Sequence, residues 1–193
     1  MRTLKPQAFF ILCIAITIVS CRKEKNIPSP LTQLNAIAPA TQTGAGRLGC
    51  LINTIDGEVF ASTNQVLQQP KASAVYTPYS YYSLLISGWR QTTPDVAATI
   101  TIRTDSLAIS QGQTLSLVNE SSGKASASYG VANYADGDDL YKTIASKPGT
   151  LYISRLDQTN HIVSGTFSFD AVNAQGDAVH VTSGRFDLQY RTY

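Results

Sequence analysis

The clearest alternation of apolar and polar residues in this chain lies near its C-terminus, in the stretch Thr150–Tyr190. Three runs rich in Thr, Val, Ile, Phe and Tyr are separated by two clusters of turn residues, Asp157–His161 and Asn173–Asp177. Apolar residues of the middle run share one parity, with polar residues between them: Phe167, Phe169 and Ala171. A period of two is typical of a strand with one buried face. The pattern therefore predicts a three-stranded antiparallel meander.

The last run of this meander changes its parity. Val179 and Val181 share one parity, whereas Phe186 and Leu188 have the opposite one. A β-bulge inserts one residue into a strand and would return the apolar side chains to the buried face. Gly184 lies between the two groups, and the sequence predicts the bulge there.

Further strands are expected about every ten residues through the rest of the chain. They are Leu48–Asn53, Glu58–Ala61, Tyr81–Ser87, Ala98–Arg103, Gly112–Asn119, Ala125–Val131, Gly149–Asp157, Ile162–Val172 and Ala178–Arg191. Dipeptides such as Asp-Gly and Pro-Gly separate them, and one weak helical stretch is expected at Gln65–Lys71. We predict one all-β domain at residues 47–193, an antiparallel β-sandwich or, as the alternative, a partly open β-barrel.

The first 20 residues resemble a bacterial lipoprotein signal peptide. Arg2 and Lys5 precede an uncharged run of 12 residues, Ala8–Val19, which is too short to span a bilayer comfortably. The run leads into Ile18-Val19-Ser20-Cys21, which resembles a lipobox. The resemblance implies that residues 1–20 are removed and that Cys21 carries lipid on its sulfur. An ordinary signal peptide cut near a cysteine is the alternative.

Residues 21–46 are expected to comprise the lipidated cysteine and a flexible tether, because prolines are scattered there among small polar residues. The charge balance excludes a nucleic-acid partner. The whole chain has 15 basic and 13 acidic residues, but residues 47–193 have 10 and 12. The domain is therefore slightly acidic and shows no basic patch.

The three cysteines predict a fold without disulfides. Cys13 lies in the signal peptide and Cys21 is the lipidation candidate, which leaves Cys50 alone. Its apolar neighbours indicate a small buried side chain and not a reactive nucleophile.

Four segments together resemble a group of small Bacteroidota lipoproteins: Gly44–Ile52, Gly149–Asp157, Ile162–Phe169 and Ser183–Tyr190. That group combines a lipobox, a Pro-rich tether ending in a phrase like Pro39–Gly44 (PATQTG), and an all-β domain of unknown function. The resemblance supplies no catalytic residues. Surface-exported members carry acidic residues directly after the lipidated cysteine, whereas Arg22–Lys25 (RKEK) is mainly basic here. Both the periplasmic and the exterior side of the membrane therefore stay open.

Motifs of catalysis and metal binding are missing from the sequence. It contains no G-x-S-x-G and no C-x-x-C, and its two histidines, His161 and His180, are expected on the surface. No cofactor and no metal site are predicted. Asp136–Asp139 favours a solvated turn over a calcium loop, because it lacks the alternating acids of an EF-hand.

Aromatic residues are concentrated just before and within one predicted strand: Tyr76, Tyr79, Tyr81, Tyr82 and Trp89. Exposed Tyr and Trp rings stack on sugars or anchor protein interfaces. One face of the strand must enter the core, so only part of this set is free to bind. Tyr79, Tyr81 and Trp89 are the weak candidates for a ligand site.

These observations together predict a lipid-anchored protein of the cell envelope, most simply in the outer membrane. Its domain is expected to bind a protein partner or a glycan. An envelope hydrolase using Asp and Glu carboxylates is the alternative, since the spacing of two acids across a cleft cannot be seen in a sequence. A third possibility is a subunit whose exposed edge strand is completed by another chain.

Overall fold

The computed structural model describes residues 37, 39–53, 58–62, 72–79, 81–133 and 137–193. The signal peptide, Cys21, most of the tether and the predicted helix at Gln65–Lys71 lie outside the described residues. Eleven strands and no helix occur in the part of the chain that is described, which confirms the all-β prediction. In particular, these residues include no helix that is long and apolar enough to cross a membrane.

The strands follow one another along the chain with short connections. They are β1 Arg47–Asn53, β2 Glu58–Ala61, β3 Ala72–Thr77, β4 Ser83–Thr93, β5 Val96–Asp105, β6 Thr114–Leu117, β7 Lys124–Asn133, β8 Asp139–Lys142, β9 Gly149–Asp157, β10 Ile162–Val172 and β11 Ala178–Arg191. The bounds of β9, β10 and β11 are those that the sequence predicts. β3 and β8 were not predicted.

All eleven strands belong to one continuous sheet that wraps around a single core. Its order is β2-β1-β11-β3-β4-β5-β7-β6-β9-β10-β8, and further pairing of β11 with β10 and of β7 with β8 brings the sheet back on itself. This arrangement agrees with the predicted sandwich and with its alternative, a partly open barrel. Most pairs are antiparallel, as expected, but β11–β3 and β6–β7 are parallel.

The parallel pairing between β11 and β3 is short, because only Tyr190 and Arg191 of β11 have partners. β1 and β2 occupy the space beside it: β1 pairs with β11 from His180 to Asp187, and β2 pairs with β1. The Arg90 guanidinium on β4 donates to the Val59 carbonyl on β2, which connects the β1–β2 hairpin with β4.

The core consists of alternate side chains from nearly every strand. Its largest fully buried members are Phe60, Ile52, Leu84, Ile86, Ile100, Ile102, Leu117, Leu151, Ile153, Leu188 and Val163. The period-two interpretation of β10 is confirmed, since Phe167, Phe169 and Ala171 are buried while Thr166 and Ser168 are exposed.

The predicted bulge in β11 is present. Phe167 pairs with Gly184 but Phe169 pairs with Val181, so β11 contains one more residue than β10 between these pairs. The residue with positive φ is Ser183, at 54°, and not Gly184. Gly184 is needed for a different reason, because a Cβ there would lie 2.5 Å from the Phe167 ring and 2.6 Å from the Phe167 carbonyl oxygen.

The end of the predicted tether is bound to the sheet through Asp187. This carboxylate is only 2% exposed and accepts hydrogen bonds from the Thr41 hydroxyl at 2.6 Å and from the Gly44 amide at 2.7 Å. Thr43 and Ala45 also donate to it, as does Ser164 from β10 at 2.7 Å. Burial by itself would raise the pKa of Asp187, but these hydrogen bonds outweigh burial and hold the pKa well below its usual range. The ordered chain therefore begins before β1.

Candidate functional site

The outward face of β4, β5, β7 and β8 is built from three rows of side chains that run across the strands. Register places Leu85, Arg103 and Ser126 in one row. The middle row contains small hydroxyl residues and ends in a cation: Ser87, Thr101, Ser128 and Lys142. The third row consists of Trp89, Thr99, Gly130 and Leu140. Apart from Arg103, the outward residues on β5 and β7 are Thr, Ser and Gly, whereas larger side chains lie on β4 and β8 at the ends of the rows, so the face is low in its centre.

A cleft of about 440 Å³ opens in this face over β5 and β7. Eight of its ten lining residues carry a polar or charged group, while carbon atoms make up most of the exposed lining; the residues are Thr101, Arg103, Asn119, Glu120, Ser126, Ala127, Ser128, Lys142, Thr143 and Ile144. The volume falls within the range typical of small-ligand sites, about 300–1,000 Å³. We refer to these residues as the β5–β7 cleft.

Thr143 fixes the wall of the β5–β7 cleft that follows β8. Its hydroxyl donates to the Val118 carbonyl and accepts a hydrogen bond from the Ala127 amide at 3.0 Å. The Thr143 amide in turn donates to the Ala127 carbonyl at 3.0 Å. Because Val118 directly precedes Asn119 and Glu120, these bonds also hold the opposite wall in place.

Ser126 contributes a hydroxyl group to the floor of the cleft. The residue is only 8% exposed, and its hydroxyl makes no hydrogen bond with any residue that the structure describes. The Ser126 oxygen is not among the buried side-chain polar atoms that lack a partner, so it is accessible from the cleft and can bond with a ligand that enters it.

Charged groups lie on either side of this floor. Arg103 forms an ion pair with Glu120, and the two side chains are 46% and 47% exposed. Lys142 forms no ion pair within the described ranges. The lining therefore contains two cations and one carboxylate, and it offers both donors and acceptors to a ligand.

One protein-family model matches most of the chain. The family model described as a domain of unknown function, DUF6252, matches residues 56–187, more than half of the 193 residues. The chain belongs to the DUF6252 family. The expected domain of unknown function is thereby confirmed, and the match includes every residue of the β5–β7 cleft. No curated protein and no solved structure matches the chain.

The aromatic candidates occupy two separate places on the DUF6252 domain. Tyr79 and Tyr81 lie in the connection between β3 and β4 and are 84% and 71% exposed. Trp89 lies on the outward face of β4, outside the core cluster, in the row next to the middle of the cleft face. Trp89 therefore lies on the same face as the β5–β7 cleft, one row from Thr101, but none of the three aromatic candidates lines the cleft itself.

The two histidines and Cys50 have the environments that the sequence predicts. His161 and His180 are both exposed, and His180 Nδ1 lies 2.7 Å from a carboxylate oxygen of Asp170 on the paired strand. Cys50 is fully buried, and burial raises the pKa of its thiol far above the usual value, with only a smaller opposing effect from Arg90. This confirms its interpretation as a buried apolar residue.

Within the described residues of the DUF6252 domain, no group of three His, Cys, Asp or Glu side chains is placed to hold a metal ion. Of the predicted turn Asp136–Asp139, the structure describes residues 137–139 and not Asp136. Gly137 has a φ of 95°, and its amide donates to the Asn133 carbonyl at 2.9 Å.

The β5–β7 cleft was missed by sequence reasoning. Its residues come from β5, from the connection after β6, from β7 and from the end of β8, and no spacing in the chain links them. One signal was available: Thr99, Thr101 and Arg103, together with Ser126 and Ser128, occupy the solvent parity of two predicted strands. Small hydroxyl residues on two neighbouring outward faces are what a shallow polar trough requires.

Proposed function

We propose that this protein is a lipid-anchored component of the cell envelope whose DUF6252 domain binds a glycan in the β5–β7 cleft. The observation that carries the proposal is the cleft of about 440 Å³, in which the hydroxyl residues Ser126 and Ser128 of β7 lie between Arg103 on β5 and Lys142 on β8. The hydroxyls of a bound sugar could form hydrogen bonds with these groups.

The composition of the cleft favours a glycan over a protein partner. Sugar hydroxyls both donate and accept hydrogen bonds, and the lining presents Arg and Lys donors, a Glu acceptor and the amide of Asn119. Trp89, one row from Thr101 on the same face, offers a ring on which the apolar face of a sugar that extends beyond the cleft can stack. Protein interfaces depend on larger and flatter areas. This cleft is small and concave, and its mixture of hydroxyl, charged and hydrocarbon groups matches the hydroxyls and C–H faces of a sugar.

Hydrolysis receives less support than binding. Glycosidases use two carboxyl groups, about 5–9.5 Å apart, on either side of the bond that is cleaved. The lining of the β5–β7 cleft contains one carboxylate, Glu120, which is paired with Arg103. Binding without cleavage is therefore the function that we propose.

Membrane attachment through Cys21 is supported by the sequence. Positive charge at Arg2 and Lys5, an uncharged apolar run and Ile18-Val19-Ser20 before Cys21 occur in the order that lipoprotein processing requires. Two or three acyl chains at Cys21 would hold the protein stably on the outer membrane, since each buried methylene contributes about 0.8 kcal/mol.

The anchor is tested by intact mass and detergent partitioning of the membrane fraction. The wild-type protein should begin at Cys21, carry acyl mass and enter the detergent phase, whereas Cys21→Ala should yield uncleaved precursor or an aqueous form. A wild-type protein without acyl mass would contradict the anchor, whatever the domain binds.

The binding function is tested by filling the cleft from its floor. Ser128→Leu adds bulk on the outward face of β7, so it should abolish binding to envelope polysaccharide fractions in calorimetry while leaving the core intact. Thr166→Leu on β10 is the matched control, because Thr166 is also an exposed hydroxyl residue on an outward strand face but lies outside the cleft. Equal binding by both variants would refute the assignment of the cleft.

A further inference from the structure

The charges of the β5–β7 cleft differ in sign from those of the domain that carries it. Residues 47–193 contain 10 basic and 12 acidic residues, yet the cleft lining contains Arg103 and Lys142 against Glu120 alone. A net positive cleft in a net negative domain attracts and orients an anion.

We propose that the glycan bound here is acidic, with a sugar carboxylate that pairs with Lys142; this inference rests on the proposed function. Lys142 ends the middle row of the face, directly across from Ser128. It has no ion-pair partner in the described part of the chain, so its charge is available to a ligand. Lys142 is exposed, and its ammonium group can form a charge-assisted hydrogen bond with a sugar carboxylate.

The Arg103–Glu120 pair complements Lys142 on the other side of the floor. Arg103 pairs across the strands with Ser126, and Ser128 pairs with Lys142, so the two cations stand on the strands that flank β7. Because the Arg103–Glu120 pair is about half exposed, it contributes little to stability and can rearrange at low cost. Its guanidinium and carboxylate can then contact hydroxyls of the same sugar while Lys142 holds the acid group.

The test compares acidic oligosaccharides with their own carboxyl-reduced forms. Suitable probes are oligogalacturonate, oligoglucuronate and a muramic-acid disaccharide, each measured by calorimetry at low and at physiological salt. Wild-type protein should bind at least one acidic probe about tenfold more tightly than its reduced form, since a charge-assisted hydrogen bond contributes about that factor. Salt should weaken the acidic complex more than the reduced one.

Two variants test whether Lys142 is responsible for the preference for the acidic probe. Lys142→Gln should abolish the preference for the acidic form, so that the acidic and reduced probes bind with equal affinity. Lys124→Gln, an exposed lysine at the start of β7 that does not line the cleft, should behave as the wild type.

The possible results distinguish a failure of the carboxylate contact with Lys142 from a failure of glycan binding in the cleft. Equal affinity of the wild-type protein for acidic and reduced probes would overturn the carboxylate contact and leave glycan binding intact. A preference that survives in Lys142→Gln would also overturn the contact. Failure of every acidic and every reduced probe to bind would overturn both.

Discussion

Replacing Asp187 with Asn should show how much the bound N-terminal segment contributes to the stability of the domain. The carboxylate accepts six hydrogen bonds, five from Thr41–Ala45 and one from Ser164. Hydrogen bonds to a charged acceptor contribute about 1.5–3 kcal/mol each and neutral ones about half as much. They are not additive here, because all share one carboxylate.

Asparagine keeps the shape of the side chain but replaces one acceptor oxygen with an NH₂ donor. That donor faces groups that are donors themselves, so the buried Ser164 hydroxyl and the part-buried N–H and O–H groups of residues 41–45 cannot all keep their partner. We expect Asp187→Asn to lower the free energy of unfolding by about 3–5 kcal/mol, comparable to breaking a buried charged contact. This is a large share of the 5–15 kcal/mol typical of a domain.

The pH dependence of this difference follows from the lowered pKa of Asp187. An unfolded Asp has a pKa of about 3.9, and the folded value lies below it. The carboxylate therefore stabilises the fold fully above the unfolded pKa, and this contribution is lost as the pH falls below about 5 toward the folded pKa. The variant lacks the group, so the gap between wild type and Asp187→Asn should narrow as the pH falls.

The free energies of unfolding of the wild type and of Asp187→Asn can be compared at pH 7 and at pH 3 by urea unfolding, followed by the fluorescence of the single tryptophan, Trp89. Asp170→Asn is the control, because Asp170 makes only a surface contact with His180 and should change stability by less than about 1 kcal/mol. A loss below about 1 kcal/mol for Asp187→Asn at pH 7 would refute the reasoning. A difference in free energy of unfolding that stays constant down to pH 3 would refute it as well.

Two further substitutions test packing near the bulge and beside the cleft. Gly184→Ala should destabilise the domain by about 1–3 kcal/mol in urea unfolding, because its Cβ would meet the Phe167 ring and carbonyl, whereas Ser183→Ala in the same bulge should have little effect. Equal effects of the two would contradict this account. Trp89→Ala should weaken glycan binding at a nearly unchanged melting temperature, since Trp89 lies outside the core. A loss of about 3–5 kcal/mol would instead place it in the core.

The strands of the C-terminal meander could be predicted because each carries its own local signal. β9, β10 and β11 alternate apolar and polar residues between turn clusters, and the parity change near Gly184 reports the bulge directly. β8 could not be found in this way, because it is four residues long and alternates weakly. Short strands of this kind form through their partners, which the local sequence does not reveal.

The interaction of Asp187 with Thr41–Ala45 could not be predicted for a related reason. In the period-two pattern Asp187 lies between Phe186 and Leu188, which is a solvent-facing position of β11. The residues that cover it come from more than 140 positions earlier in the chain. The prolines and small polar residues of that segment indicate a tether, and only the hydrogen bonds show that its end is part of the fold.

Amide chemical shifts during titration with a saccharide test the central claim, binding in the β5–β7 cleft, most directly. Titration of the protein with the tightest-binding envelope oligosaccharide should move the amide signals of Thr101, Ser126 and Ser128 most strongly and in a saturable manner. Shifts confined to the connection that contains Tyr79 and Tyr81, or to the outward face of β9–β11, would contradict the account. The account would also be contradicted if no amide signal of the domain moved with any envelope glycan.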